Sequence, residues 1–296
     1  MQQRREHRQG RFVWLLDDTD RTAWIKKGHI GRCRTYHVPD HVVIEGVKYT
    51  VTSIEICAFN SPRTLKHLVI PDSITYVDED VFCCLPNLRS ACIGKGVEYM
   101  NNWQFRGCPK LQTVTIAKGN PHLKVRDGLL LSGDGTVLLR GLCRHRHLII
   151  PEGVKYIEKV AFWYDRDIEY ISFPSTLKEM SDECFASLTG IKRVTLPEGL
   201  TRMIVQNFMD CTALEYIDLP STLSDFGREN FLGCKSLNTI ILRANQVLTC
   251  DDSDIDGIPR TCHIQVPAGL IPDYRKHPAW GKFENIEPIA NKPLKA

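Results

Sequence analysis

The chain has 296 residues, of which 43% are apolar and 25% are charged, values typical of a folded protein and not of a disordered one. Its net charge of +3 excludes a strong overall attraction to nucleic acid or to a membrane surface. No apolar run approaches the roughly 18 residues that a membrane-spanning helix needs.

The N-terminal segment 1–10 is basic and polar, and no apolar stretch follows it, so it does not have the pattern of a secretory signal. We therefore expect a cytoplasmic protein if Met1 is the native start, or an exported one whose leader has been removed. Residues 1–32 lack the repeat described below. We predict that they form a tail and a cap, with the segment from Phe12 to Trp24 covering the first coil.

Seven phenylalanines mark an internal repeat, with spacings of 23 residues except for one of 57. They are Phe59, Phe82, Phe105, Phe162, Phe185, Phe208 and Phe231. An apolar pattern follows each Phe at a fixed offset, as in Leu65-x-x-Leu68-x-Ile70-Pro71. Apolar residues two positions apart are typical of a strand with one buried face, and proline ends the strand because it donates no ladder hydrogen bond.

One such unit cannot bury its own apolar face, whereas stacked units cover one another. We therefore predict a mainly β solenoid of 23-residue coils over residues 33–249, with a longer coil at about 127–161. The longer coil contains Asp127-Gly128 and Ser132-Gly133-Asp134-Gly135, which are typical of the tight turns of an inserted β-hairpin.

Residues 250–296 are predicted to form a C-terminal cap and tail. The segment Ile264-Gln265-Val266-Pro267 has the pattern of a last strand, and Trp280, Phe283 and Ile286 are expected to provide apolar cover. Such caps are needed because the outer faces of terminal coils would otherwise be open to water.

The repeat resembles the BspA-type leucine-rich repeats of Bacteroides-like bacteria and some protozoan parasites. The family unit reads roughly Leu-x-x-Val-x-Ile-Pro-x-x-Val-x-x-Ile-x-x-x-Ala-Phe-x-x-Cys, and segments 65–82 and 214–234 follow it closely. The slot that holds Asn or Cys in better-known leucine-rich repeats holds Ser73 or Gly199 here, so no helix per repeat is expected. The resemblance covers about 38–289 and implies a binding protein, often at a cell surface or secreted, without fixing its ligand.

Two groups stand out among the twelve cysteines. Cys108, Cys211 and Cys234 each follow a repeat Phe by three residues. Stacked coils lie ~4.8 Å apart and place such side chains parallel, which favours buried thiols over bridges. Cys250 and Cys262 lie outside the repeat and are the better candidates for a disulfide if the protein is exported.

An acidic segment matches the front half of a calcium-binding loop, with Asp252, Asp254 and Asp256 at alternate positions. The match then fails, because His263 occupies the position that needs a bidentate Glu. We favour an acidic turn over this weak calcium candidate, and predict no metal and no cofactor.

Catalytic motifs are not found, whether for serine hydrolases, zinc proteases or nucleotide binding, so an enzyme is the least supported class. The basic run Arg144-His145-Arg146-His147 is either an anion site or a solvated edge, and we favour the edge.

The strand positions that point away from the core form columns along the stack. The middle column carries Tyr170, Arg193 and Tyr216 on successive coils, and tyrosine and arginine dominate binding hot spots. Their flanking positions hold Glu169, Lys192, Glu215 and Asp218.

We expect these seven residues to bind a protein or glycan partner, with no role for nucleic acid or a membrane span. A possible surface adhesin is the form of this function that the resemblance implies. Two alternatives stay open: a solvated sheet with incidental contacts, and a structural repeat protein that self-assembles.

Overall fold

A computed structural model describes residues 4–59, 62–100, 104–142, 146–163 and 165–290 of the chain. The chain forms two compact units: unit 1 comprises Met1–Gly135 and Gly141–Cys143, and unit 2 comprises Thr136–Arg140 and Arg144–Ala296.

Unit 1 is a stack of coils whose strands line up in two columns. Its strands are β1 (Arg5–Gln9), β2 (Phe12–Asp17), β3 (Thr22–Gly28), β4 (Thr35–His37), β5 (His41–Ile44), β6 (Val47–Ile54), β7 (His67–Ile70), β8 (Tyr76–Val77), β9 (Ser90–Ile93), β10 (Tyr99–Met100), β11 (Thr113–Ile116), β12 (Leu123–Arg126) and β13 (Leu129–Ser132). One parallel sheet has the order β4-β7-β9-β11. The other has the order β1-β2-β3-β6-β8-β10, in which β3, β6, β8 and β10 are parallel.

Unit 2 repeats the arrangement. Its strands are β14 (Val137–Gly141), β15 (His147–Ile149), β16 (Tyr156–Ile157), β17 (Tyr170–Ser172), β18 (Glu179–Met180), β19 (Arg193–Thr195), β20 (Arg202–Met203), β21 (Tyr216–Leu219), β22 (Thr239–Leu242), β23 (His263–Val266) and β24 (Asn285–Pro288). The short strands pair in the order β14-β16-β18-β20, and the longer ones form β15-β17 and β19-β21-β22-β23-β24. These stacked coils confirm the predicted mainly β solenoid.

Helix is scarce in the described residues. Helix α1 (Ile271–Lys276) is flanked by short 3₁₀ segments at Ala268–Leu270 and Trp280–Lys282, and another lies at Ser253–Ile255. Among the described residues no helix has the length and apolar character to cross a membrane.

The repeat phenylalanines stack on one another within the core. Ring centroids of consecutive Phe residues lie 5.8 and 6.5 Å apart in unit 1, and 5.3, 5.6 and 6.1 Å apart in unit 2. Fully burying such a side chain stabilises a fold by roughly 1.5–3 kcal/mol, so the Phe stack couples neighbouring coils.

The inserted hairpin begins earlier than expected. Strand β12 starts at Leu123, before the predicted boundary near Asp127, and pairs antiparallel with β13. Asp127 and Gly128 form the turn with φ of 50° and 74°, the left-handed conformation that matches strand twist in a tight hairpin.

The C-terminal end has one more strand than expected. Ile286 lies in β24, which pairs parallel with β23, so the segment at 264–267 is not the last strand. Trp280 is fully buried, and its indole N–H donates to the carbonyl of Leu248 at 2.8 Å. That hydrogen bond attaches the C-terminal cap to the last repeat, and the Trp280 ring covers the core.

The repeat cysteines are free thiols. The Sγ atoms of Cys211 and Cys234 donate to the carbonyls of Phe185 and Phe208 in the preceding coils, at 3.3 and 3.1 Å. Cys250 and Cys262 are also free, and Cys262 is buried.

Candidate functional site

The three central residues of the predicted patch begin three strands of unit 2, with Tyr170 on β17, Arg193 on β19 and Tyr216 on β21. Tyr170 is 57% exposed, and its ring centroid lies 4.8 Å from that of His147. The guanidinium of Arg193 lies 4.1 Å from the centroid of the Tyr216 ring. Because this contact restricts the arginine before any ligand arrives, less freedom remains to be lost on binding.

The sheet is interrupted between β17 and β19. No ladder joins these two strands among those described, although their Cα atoms come within 8 Å of each other. In the flanking coils, the amide of Glu169 donates to the carbonyl of Arg146 at 2.9 Å, and that of Glu215 to the carbonyl of Lys192 at 2.8 Å. Among the described backbone hydrogen bonds, the Lys192 amide does not donate to the Glu169 carbonyl.

The coils separate on one side only. Strands β16, β18 and β20 on the second side of the same coils pair continuously. At the interruption, Ile171 and Phe173 point toward the core but are only half-buried, whereas Val194 and Leu196 in the next coil are 1% and 3% exposed. The gap therefore leaves the side chains of Ile171 and Phe173 partly exposed.

An open groove with a cavity volume of about 900 Å³ lies at this interruption. A Cβ at position 190 would lie 3.0 Å from the carbonyl oxygens of Arg166 and Ile168, so Gly190 lets the backbones approach closely. Five of the seven predicted residues line the groove. The lining residues are Arg146, Arg166, Asp167, Glu169, Tyr170, Gly190, Lys192, Arg193 and Glu215.

The groove presents charges of both signs, and Arg146 and Glu169 form an ion pair in it. Arg146 Nε lies 2.8 Å from Glu169 Oε2. The hydrogen bond from Arg146 lowers the pKa of the Glu169 carboxyl, and the same bond raises the pKa of Arg146. Both side chains are exposed, so the pair orients them more than it stabilises the fold.

Two of the seven residues are not open to solvent, and the expectation that they are was wrong. Tyr216 and Asp218 are each 7% exposed. Arg193 covers the Tyr216 ring, while Arg243 donates two hydrogen bonds to Asp218 at 2.7 and 2.8 Å. The Tyr216 hydroxyl also donates to Asp218 at 3.3 Å, and burial raises the pKa of that tyrosine. Tyr216 therefore supports Arg193, and Asp218 holds both Tyr216 and Arg243.

Arg243 was missed by the sequence interpretation. It follows Leu242 at the slot where Pro197 and Pro220 end the strands of earlier coils. A charged residue in a proline slot is the signal that could have identified it, because nothing in the repeat calls for a cation there.

The acidic segment after the repeat does not bring its carboxylates together. Asp254 is 4% exposed and accepts hydrogen bonds from the amides of Asp251 and Glu229 at 2.7 and 2.9 Å. Asp252 pairs with Lys282, and Asp256 accepts from the Gly257 amide. Within the described ranges, no group of three or more metal-ligating side chains is present.

The basic run is only partly described. Arg144 and His145 lie outside the described residues. Arg146 and His147 contact Glu169 and Tyr170, so half of this run belongs to the groove and its rim.

Comparisons with known proteins show where the fold recurs. A family model described as the BspA type leucine rich repeat region matches residues 43–125 and 141–252 in six copies. The pneumococcal vaccine antigen PcpA aligns over 97% of this chain and 99% of its own, with 15% identity and a TM-score of 0.59. A leucine-rich repeat protein from Bacteroides ovatus aligns over 88% and 70%, with 19% identity and a TM-score of 0.56. A comparison with curated proteins finds no match.

Proposed function

Because the chain belongs to the BspA type leucine-rich repeat family, we propose that it is a non-catalytic recognition module that binds a protein partner through the groove of unit 2. The interruption between β17 and β19 is the observation that carries the proposal. It converts a continuous sheet face into a concave site that holds an exposed tyrosine and an oriented arginine.

The charges of the groove favour a protein over a uniformly charged ligand. Lys192 and Glu215 are exposed neighbours of opposite sign beside Arg193. A partner with complementary charges of both signs gains selectivity here, since a mismatched partner would place like charges together. A glycan is the second ligand class, and a surface adhesin is the cellular form that the family suggests.

The test begins with capture by the immobilised full chain from bacterial and host extracts, followed by surface plasmon resonance with each purified partner. Tyr170→Ala with Arg193→Ala should weaken binding by at least about tenfold, as expected for loss of hot-spot residues. A matched control, Tyr99→Ala with Lys95→Ala, removes an exposed tyrosine and an exposed cation from unit 1 and should have little effect.

Unchanged affinity of the Tyr170 and Arg193 variant, with an unchanged melting temperature, would exclude the groove as the binding site. Equal losses in both variants would point to a different or diffuse surface. A captured glycan in place of a protein would correct the partner class.

A further inference from the structure

Unit 1 presents a sheet face that is basic and lacks carboxylates. Segments 31–39, 62–71, 84–93 and 108–116 contain strands β4, β7, β9 and β11, and they hold six Lys and Arg residues and no Asp or Glu. The six are Arg32, Arg34, Arg63, Lys66, Arg89 and Lys110. The charge of this face is therefore far from the near-neutral balance of the whole chain.

Three of these cations, Arg34, Lys66 and Arg89, form what we call the cationic column. The amide of Lys66 donates to the carbonyl of Arg34 at 2.7 Å, and the amide of Arg89 donates to the carbonyl of Lys66 at 2.8 Å. They thus occupy successive coils, whose backbones lie ~4.8 Å apart. Arg34 and Arg89 are exposed and Lys66 is half-buried.

The cationic column has no ion-pair partner in the described part of unit 1. The ion pairs of the neighbouring repeat coils join Lys95 to Asp72 and Arg106 to Asp80. Like charges on adjacent strands repel, so this arrangement lowers stability when no counter-charge is bound.

The same position in unit 2 shows that the fold does not require cations here. Residues Arg146, Glu169, Lys192 and Glu215 occupy it on successive coils and alternate in sign. The first two are joined by the 2.8 Å ion pair. Among the described coils, three cations follow one another at this position in unit 1 and not in unit 2.

We infer that the cationic column binds a sulfated polysaccharide. Cations on consecutive coils need several anionic groups within a short length, which a glycan sulfated at several hydroxyls provides. Beside the column, Thr35, His67, Ser90 and Thr113 present small polar groups, and His67 Nδ1 lies 2.8 Å from Ser90 Oγ. These groups suit the hydroxyls of a sugar chain.

Single-stranded nucleic acid fits this face less well. The outward positions of β4, β7, β9 and β11 carry no Phe, Tyr or Trp, so a base finds no such ring on which to stack. Phosphate contacts alone would leave the bases unrecognised.

The experiment measures binding of a fluorescein-labelled heparin dodecasaccharide to the full chain by fluorescence anisotropy over a series of NaCl concentrations. Arg34→Gln, Lys66→Gln and Arg89→Gln together should weaken binding by about tenfold or more and make its salt dependence shallower. The control combines Lys155→Gln, Lys178→Gln and Lys235→Gln, which removes the same charge from exposed sites of unit 2. It should stay within about twofold of the unaltered chain.

Several outcomes would overturn the inference: no binding by the unaltered chain at low salt, equal losses in the two triple variants, or tighter binding of a labelled dT oligonucleotide through the same three residues. The melting temperature of the Arg34, Lys66 and Arg89 variant should equal or exceed that of the unaltered chain. A lower value would contradict the uncompensated repulsion. Tyr170→Ala with Arg193→Ala should leave heparin binding intact, which separates this site from the proposed protein groove.

Discussion

Buried thiols illustrate how single residues adapt to the tight turns of the coils. Cys184, Cys211 and Cys234 have no exposed surface, and sulfur fills space that a larger apolar side chain would overfill. Burial raises the pKa of the Cys211 thiol to about 12, because a thiolate there would lose its hydration. The pKa values of Cys184 and Cys234 are raised for the same reason.

These thiols predict a loss of stability at alkaline pH. An unfolded thiol has a pKa of about 8.5, so the folded chain holds the proton more tightly. The resulting stabilisation is complete below that pH and is lost as the pH rises toward the folded pKa of about 12. Urea unfolding should show a free energy that falls between about pH 9 and 11. Cys211→Ala should make the fall shallower, while Cys92→Ala, at an exposed site, should not. Equal slopes in both variants would contradict this.

The pair that Arg243 forms with the nearly buried Asp218 predicts that loss of its cation destabilises the fold more than loss of a cation from an exposed pair. Arg243→Gln leaves a nearly buried carboxylate without its two hydrogen bonds and should lower the free energy of unfolding by about 1–3 kcal/mol. Arg202→Gln is the matched control, because its partner Asp225 is half exposed, and it should cost less than about 1 kcal/mol. Adding Asp218→Asn to Arg243→Gln should restore stability, because it removes the unpaired carboxylate. Equal losses in Arg243→Gln and Arg202→Gln would contradict this expectation.

At the scale of elements, the repeat predicted the longer strand of each coil but neither the short second strands nor the interruption between β17 and β19. Ile171 and Phe173 satisfy the apolar pattern as well as Val194 and Leu196 do, so sequence gives no sign that their coil stands apart. The separation depends on how whole side chains fit between coils, which a pattern of apolar and polar positions does not encode.

The interruption predicts local differences in amide hydrogen exchange. The amides of Lys192 and Arg193 have no ladder acceptor in the described strands, whereas those of Glu215 and Tyr216 both donate to the Lys192 carbonyl. We expect the first pair to exchange at least about tenfold faster, since exchange follows local protection. Measurement by NMR on the full chain would check this, and equal protection at the two sites would show a continuous ladder.

At the scale of the molecule, the Phe spacing predicted the solenoid because the same unit recurs with the same packing partner. The sequence repeat indicated only part of the cationic column. Lys66 and Arg89 are 23 residues apart, whereas Thr35, which follows Arg34, pairs with His67 across 32 residues. The hairpin of β5 and β6 lies between them and breaks the frame, so Arg34 could not be aligned with Lys66. Burial of Tyr216 depended likewise on Arg193 and Arg243, which the repeat leaves free to vary.

Exposed sheet edges bear on the alternative of self-assembly. Strand β1 is an edge that carries Arg5, Glu6 and Arg8, and β24 is an edge that ends at Pro288. Charges and proline at edges oppose pairing with another chain. We expect light scattering to give one mass independent of protein concentration, whereas a mass that grows with concentration would favour the self-assembling alternative.

The one-sided gap between β17 and β19 has a mechanical consequence. Two coils that remain joined through β18 and the stacked rings of Phe162 and Phe185, 5.3 Å apart, form a hinge on one side and a free margin on the other. The margin can widen or narrow without breaking a backbone hydrogen bond, because none spans it among the described strands. The separation of the two coils at this gap can therefore change at little energetic cost. A partner bound between Tyr170 and Arg193 would fix that separation and with it the local bend of the coil stack.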